Sequence, residues 1–184
     1  MERGRRVPID ASPTIRRPQR SQGFAALAAL SLLLGAGHVQ AGDREDVLAR
    51  INEYMAHEQS GDLIAQGRLM LDERSMVYPG GRMHGNNREG MQRQQADQDA
   101  FAAAFPGVRY EFELRDIDTQ VWNGDSALVT FDSVPTRIVP ASLPPEAVAK
   151  LGPPKIPLIV AAMLVKQEGV WKIAHTTFVP RDKE

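Results

Sequence analysis

Few side chains in this 184-residue sequence are placed to hold or move a proton, and they are scattered along it. His175 lies in the closing run GVWKIAHTTFVP, residues 169–180. There Trp171, Ile173, His175, Thr177 and Val179 alternate with Val170, Lys172, Ala174, Thr176 and Phe178. Period-2 spacing puts His175 on the strand face of Trp171 and Ile173. An imidazole in that place is a satisfied core group, a cavity-lining group or a metal ligand. No carboxylate neighbours it in sequence, and its spacing to His57 and His84 is not that of a metal site. Tyr54 falls on the apolar face of a helical segment, where a phenol either packs in the core or donates into a pocket. Tyr78 stands directly before Pro79, at the end of a short strand. Gln98 lies with Met91, Gln94, Gln95, Phe101 and Phe105 in the inward stripe of another helix. Glutamines within such a stripe mark either a half-exposed helix or the border of a polar cavity.

The remaining polar candidates are weaker. Arg137 faces solvent or an acidic ligand, and Asp116, Asp118 and Asp132 fall in strand segments whose faces the sequence leaves open. There is no GxSxG serine, no Gly-rich phosphate loop before a helix and no HExxH pair. The sequence therefore calls for no cofactor and no metal, and it assigns no catalytic residue.

Residues 1–41 read as a leader. Arg3, Arg5, Arg6, Arg16, Arg17 and Arg20 precede an apolar run from Phe24 to Leu34, and Val39 and Ala41 stand at small-residue cleavage spacing. Such a run is too short to span a bilayer and suits a secretory signal cut after Ala41, giving a periplasmic or secreted protein; an uncleaved anchor is the rival reading. Taking the six leader arginines from 22 basic residues, and Glu2 and Asp10 from 23 acidic ones, leaves 16 against 21, a net charge of −5. An acidic chain without a basic cluster excludes nucleic acid, and after cleavage an anionic membrane, as partners. With no cysteine the fold has neither disulfides nor a thiol nucleophile, so a packed core must hold residues 42–184 as one domain.

The order of elements is helices, then strands. Asp43 is placed to cap a first helix carrying Val47, Leu48, Ile51, Tyr54 and Met55, broken at Ser60-Gly61-Asp62. A second short helix carries Leu63, Ile64, Met70 and Leu71, and Met76–Tyr78 reads as a brief strand stopped by Pro79-Gly80-Gly81. Asn86 with Glu89 forms a plausible capping pair for a third helix running to about Phe105. Val108, Tyr110, Phe112 and Leu114 alternate, but Ile117, Thr119 and Val121 are out of phase with them, which predicts a bulge near Arg115-Asp116. Asn123-Gly124 signals a hairpin into Ser126–Val134. Residues 135–156 interrupt the sheet with six prolines and a short helix over Pro145–Leu151, a segment expected to act as a lid, an interaction loop or a plain surface insertion. Pro157–Lys166 and Val170–Val179 form a last hairpin. The result is α+β: three helices on a strongly bent antiparallel sheet, with a conical hollow between the layers.

With SGDL (60–63), MVYPGGRMHG (76–85), the bent strand with its NG hairpin, and VWKIAH (170–175), the chain resembles the NTF2-like superfamily, and within it SnoaL-like and DUF4440-like proteins, over residues 45–180. The resemblance implies a cone-shaped scaffold, a cavity and a homodimer through the open sheet face, but not one chemistry, since the superfamily holds isomerases, cyclases, dehydratases, hydrolases and plain binding or assembly domains. In its ketosteroid isomerase branch the oxyanion-donor tyrosine precedes the helix-break glycine by seven residues, as Tyr54 precedes Gly61. The branch's general base is an aspartate before proline, where this chain has Tyr78. Its second donor is an acid on a late strand, where PLIVAAMLVK has none. That mechanism is excluded. The expectation is an exported protein that binds a small organic molecule through Tyr54, Tyr78, Gln98 and His175. The alternatives are a SnoaL-like enzyme using a His/Tyr acid–base pair and a non-catalytic dimeric assembly domain.

Overall fold

The computed structural model describes residues 41–181, so the expected leader lies outside the described residues except for Ala41. Helix α1 (Ala41–Ser60) buries Val47, Ile51, Tyr54 and Met55 on one face. Asp43 is not its cap. The helix already begins at Ala41, and Asp43 sits buried in the first turn, accepting a hydrogen bond from Lys166 Nζ at 2.6 Å. Gly61 ends α1 with φ +76°, the left-handed backbone that glycine adopts without steric cost. Asp62 then caps α2 (Leu63–Arg68), its Oδ1 accepting from Ala65 N at 2.9 Å.

Met70 and Leu71, expected in that second helix, instead open strand β1 (Met70–Tyr78). Pairing with the last strand overrides local propensity here: Ile173 N donates to the Leu69 carbonyl at 2.9 Å, and Met70 lies opposite Ile173. After β2 (Gly81–His84) comes α3 (Asn87–Ala104), without the expected capping pair. Asn86 takes a left-handed conformation, φ 53°, with no side-chain cap bond, and Glu89 pairs with Arg93 at 2.7 Å. The acceptor at this helix start comes from β1, whose Asp72 Oδ1 takes the Arg88 N–H at 2.9 Å.

Strands β3 (Arg109–Trp122), β4 (Ser126–Ile138), β5 (Leu158–Gln167) and β6 (Val170–Pro180) follow, with one helical turn, α4 (Pro145–Val148), between β4 and β5. The six-stranded sheet has the order β2-β1-β6-β5-β4-β3. It is mixed and not purely antiparallel, because β1 runs parallel to β6; these strands lie far apart in sequence and no hairpin dictates their direction. The bulge in β3 stands where the phase slip put it, between Arg115 and Asp118, with Asp116 at φ 51°. The hairpin turn holds Asn123 and Gly124 at φ 52° and 71°. β4 runs on past Val134 to Ile138, so the proline-rich connection is shorter than expected. Pro135 fits in the strand because β5 pairs only as far as Ser133, and the missing N–H meets no partner strand there.

A second bulge corrects the reading of the closing strand. Leu164 pairs with Ile173 and Met163 with His175, which leaves Ala174 as an extra residue. The slip inverts the face: Trp171, Ile173, Thr176 and Phe178 point toward the helices, while His175, Thr177 and Val179 point away. The core lies between α1 and the inner sheet face, where Val47 and Ile51 meet Ala127, Val129, Phe131, Val160, Leu164 and Ile173. Replacing Ile173, which is 0% exposed, by alanine is expected to cost about 2–5 kcal/mol in urea unfolding. Val148→Ala, in α4 at 40% exposure, should cost no more than about 0.5 kcal/mol.

Candidate functional site

Between the helices and the curled end of the sheet lies a cavity of about 420 Å³. Each element contributes a few side chains to it. α1 supplies Tyr54, Met55 and Glu58 at successive helical positions on its inner face, and α2 supplies Gln66. From β1 come Arg74, Met76 and Tyr78, alternate residues of one strand face. The far wall is apolar but for Ser133: Phe112 of β3, Phe131, Ser133 and Pro135 of β4, Leu158 and Val160 of β5, and Phe178 of β6. The polar groups gather on the helix and β1 side, as in sites where an apolar body is bound and a few groups orient it.

The polar wall is ordered by buried hydrogen bonds. Gln66, 2% exposed, donates from Nε2 both to the Tyr54 carbonyl at 3.2 Å and to Glu58 Oε2 at 3.0 Å. The other oxygen of Glu58 accepts from Lys155 Nζ at 2.9 Å. Burial, with Glu58 adding repulsion, raises the pKa of the Tyr54 phenol well above the usual tyrosine value, so the hydroxyl keeps its proton at any physiological pH. Arg74 stands beside it. Burial lowers the pKa of the guanidinium while the Tyr54 contact opposes the shift, and arginine remains a cation throughout. Nη2 of Arg74 lies 3.9 Å from Met91 Sδ and 4.0 Å from Met76 Sδ, Nε and Nη1 have no hydrogen-bond partner, and the polar group acting on the guanidinium is the neutral Tyr54 phenol.

At the exposed end, Tyr78 folds back over Gly81, where a Cβ would stand 2.8 Å from the phenol oxygen. The connection between β4 and β5 reaches this rim through Lys155 and Ile156. Arg137 does not line the cavity; its Nη1 donates to the Gly152 carbonyl at 2.6 Å and ties the connection to β4. The Lys155 ammonium sits 5.1 Å from the Tyr110 ring centre and 4.9 Å from that of Phe112, within cation–π range, besides pairing with Glu58.

The sequence-predicted residues do not converge. Tyr54 and Tyr78 both line the cavity, one deep and one at the rim. Gln98 does not; its amide lies against Gly61 at the break between α1 and α2, while neighbouring Gln94 lines the cavity. Gln95 holds the same break, Oε1 accepting from Leu63 N at 2.7 Å and Nε2 donating to the Gly61 carbonyl at 3.0 Å. His175, on the outer face, is engaged by Ser75 Oγ at 2.6 Å on Nδ1 and Thr177 Oγ1 at 2.8 Å on Nε2. Its neighbours are hydroxyls that can donate or accept, so its role is to join β1 to β6. None of the three strand aspartates lines the cavity. Asp132 is ion-paired with Arg181, Asp118 accepts from Gln120 at 3.3 Å, and Asp116 forms the bulge. Among the described residues no group of three or more His, Cys, Asp or Glu could hold a metal ion.

Arg74 escapes a sequence reading that starts β1 at Met76. With the strand begun at Met70, period 2 runs through Asp72 and Arg74 to Met76 and Tyr78, and Arg74 is a charge two residues ahead of two cavity-lining side chains. That is the signal.

No family model matches the sequence and no curated protein matches it. Solved structures do. An NTF2-like protein with a cystatin-like fold from Novosphingobium aromaticivorans is similar at 18% identity and a TM-score of 0.58, over 77% of this chain and 84% of that one. A protein of the NTF2-like family from Streptomyces avermitilis is similar at 18% and 0.57, over 77% of this chain and 97% of its own. An NTF2-like protein of unknown function from Pseudomonas putida KT2440 is similar at 13% and 0.57, over 79% and 92%. At identities this low the likeness carries the architecture alone, and on that ground the described chain has the NTF2-like, cystatin-like fold.

Proposed function

We propose that the protein binds a small organic molecule in the cavity and is exported to the periplasm or beyond as a homodimer. The observation that carries the binding reading is the division of the cavity wall. One side is a surface from the sheet that is apolar but for Ser133, and the other is a cluster of ordered polar groups around Tyr54. A hollow left only by imperfect packing would not hold a buried glutamine, a protonated phenol and a guanidinium in one place. The acid–base pair of His175 with Tyr54 or Tyr78 has no support, since His175 faces away from the cavity that both tyrosines line.

Export is supported by the arginine-rich leader followed by an apolar run. Dimerisation is supported by the outer sheet face. Helices α1, α2 and α3 pack on the inner side, and the outer side bears exposed Val77, Ile159, Met163 and Val179 around a centre of Ala161. A single self-complementary face of this kind suits a two-fold contact. Met163→Lys is then expected to convert a dimer to a monomer in light scattering; a protein already monomeric without the change removes this part of the proposal.

The binding reading is tested by mass spectrometry of small molecules retained after native purification. The unaltered chain should carry a ligand. Leu158→Trp, which fills the apolar wall, should lose it, and His175→Ala should keep it while melting a few degrees lower, consistent with loss of about 1 kcal/mol of hydrogen bonding. Loss of the ligand with His175→Ala but not with Leu158→Trp would contradict the assignment. Lys155→Ala, which unlinks the β4–β5 connection from Glu58, should speed ligand release severalfold in a dissociation time course.

A further inference from the structure

We infer that the ligand is an organic anion: an apolar body carrying one carboxylate, or a group of like charge and size, seated on Arg74. The inference deepens the cavity-binding proposal and rests on it. Arg74 is 2% exposed, and two of its three nitrogens have no hydrogen-bond partner. A cation so placed has lost its hydration without gaining a counter-ion, the most costly arrangement of a charge inside a protein. Folding alone gives no reason to keep it, since a methionine would fill the same space without that cost.

The cavity's own carboxylate does not answer the charge. Glu58 is engaged by Lys155 on one oxygen and by Gln66 on the other. The group acting on Arg74 is the Tyr54 phenol, neutral because burial keeps it protonated. Arg74, Lys155 and Glu58 leave the cavity wall one positive charge in excess, in a domain that is acidic as a whole. An incoming carboxylate would find two kinds of donor side by side, the guanidinium and the phenol, and would form charge-assisted bonds in a site screened from water. Met76, whose sulfur lies over Nη2, also lines the cavity; its unbranched side chain yields to an entering group. The rest of the ligand would lie on Phe131, Leu158 and Phe178.

Arylalkanoic acids of graded chain length, each paired with its own primary amide, test the inference by calorimetric titration of the whole mature chain. Acid and amide have the same shape and differ in charge. The acid that fits should bind at least about tenfold more tightly than its amide. Arg74→Met should abolish that preference, so that acid and amide bind alike, and should melt no lower than the unaltered protein in the absence of ligand. Equal binding of acid and amide to the unaltered protein would overturn the inference and leave the cavity-binding reading standing. Binding of neither across the series would remove both. An acid preference that persists in Arg74→Met would place the anion on another group and overturn the assignment.

Discussion

Strands as long as β3 and β4, 14 and 13 residues, do not lie flat in a sheet. The right-handed twist of a sheet curls them, and the bulges at Asp116 and Ala174 sharpen the curl. Everything else follows from that constraint. Where the sheet stays close to α1, the two layers interdigitate around Ile51, Val129 and Ile173 as a dry core. Where it curls away, the same inner face becomes the wall of a hollow, and core residues pass into cavity residues along a single strand. Phe131 and Val160 belong to both.

The hollow is asymmetric because its walls come from different kinds of element. A strand interior offers one face with side chains at period 2, and what β3, β4, β5 and β6 turn to the hollow is apolar but for Ser133. The opposing wall is built of a helix, a short helix and the irregular first half of β1, which parts from β6 between Met70 and Ser75. That parting allows Arg74 to turn inward beside Tyr54 while Ser75 turns outward to His175. The polar cluster and the strand junction are two sides of one irregularity. Stability is carried by the tight end of the sandwich, which leaves the open end free to hold a charge that packing does not need.

Much of this architecture was legible because period and punctuation are local. Gly61, Asn123-Gly124 and the break in phase between Leu114 and Ile117 each act through their own backbone, and the structure has them where the sequence has them. The closing strand shows where that legibility ends. Trp171 and Ile173 lie on odd positions and the aromatic Phe178 on an even one, the same kind of slip, but an alanine absorbs it and no glycine or proline marks the place. Extending the first phase through His175 therefore puts the imidazole on the wrong side of the sheet. The parallel pairing of β1 with β6 is hidden for another reason. It depends on contacts across about a hundred residues, and those contacts convert Met70 and Leu71 from the tail of a helix into a strand. Arg74 becomes conspicuous only once that strand exists.

The proposed anion site rests on one observation, a buried Arg74 with no carboxylate beside it in the cavity. A high-resolution crystal structure of the protein purified without denaturant addresses this most directly. The account predicts density for a bound molecule whose apolar part lies against Phe131 and Phe178 and whose oxygens stand within hydrogen-bonding distance of the Arg74 guanidinium and the Tyr54 hydroxyl. A cavity closed by its own side chains, with Arg74 paired to a carboxylate of the chain itself, would contradict it.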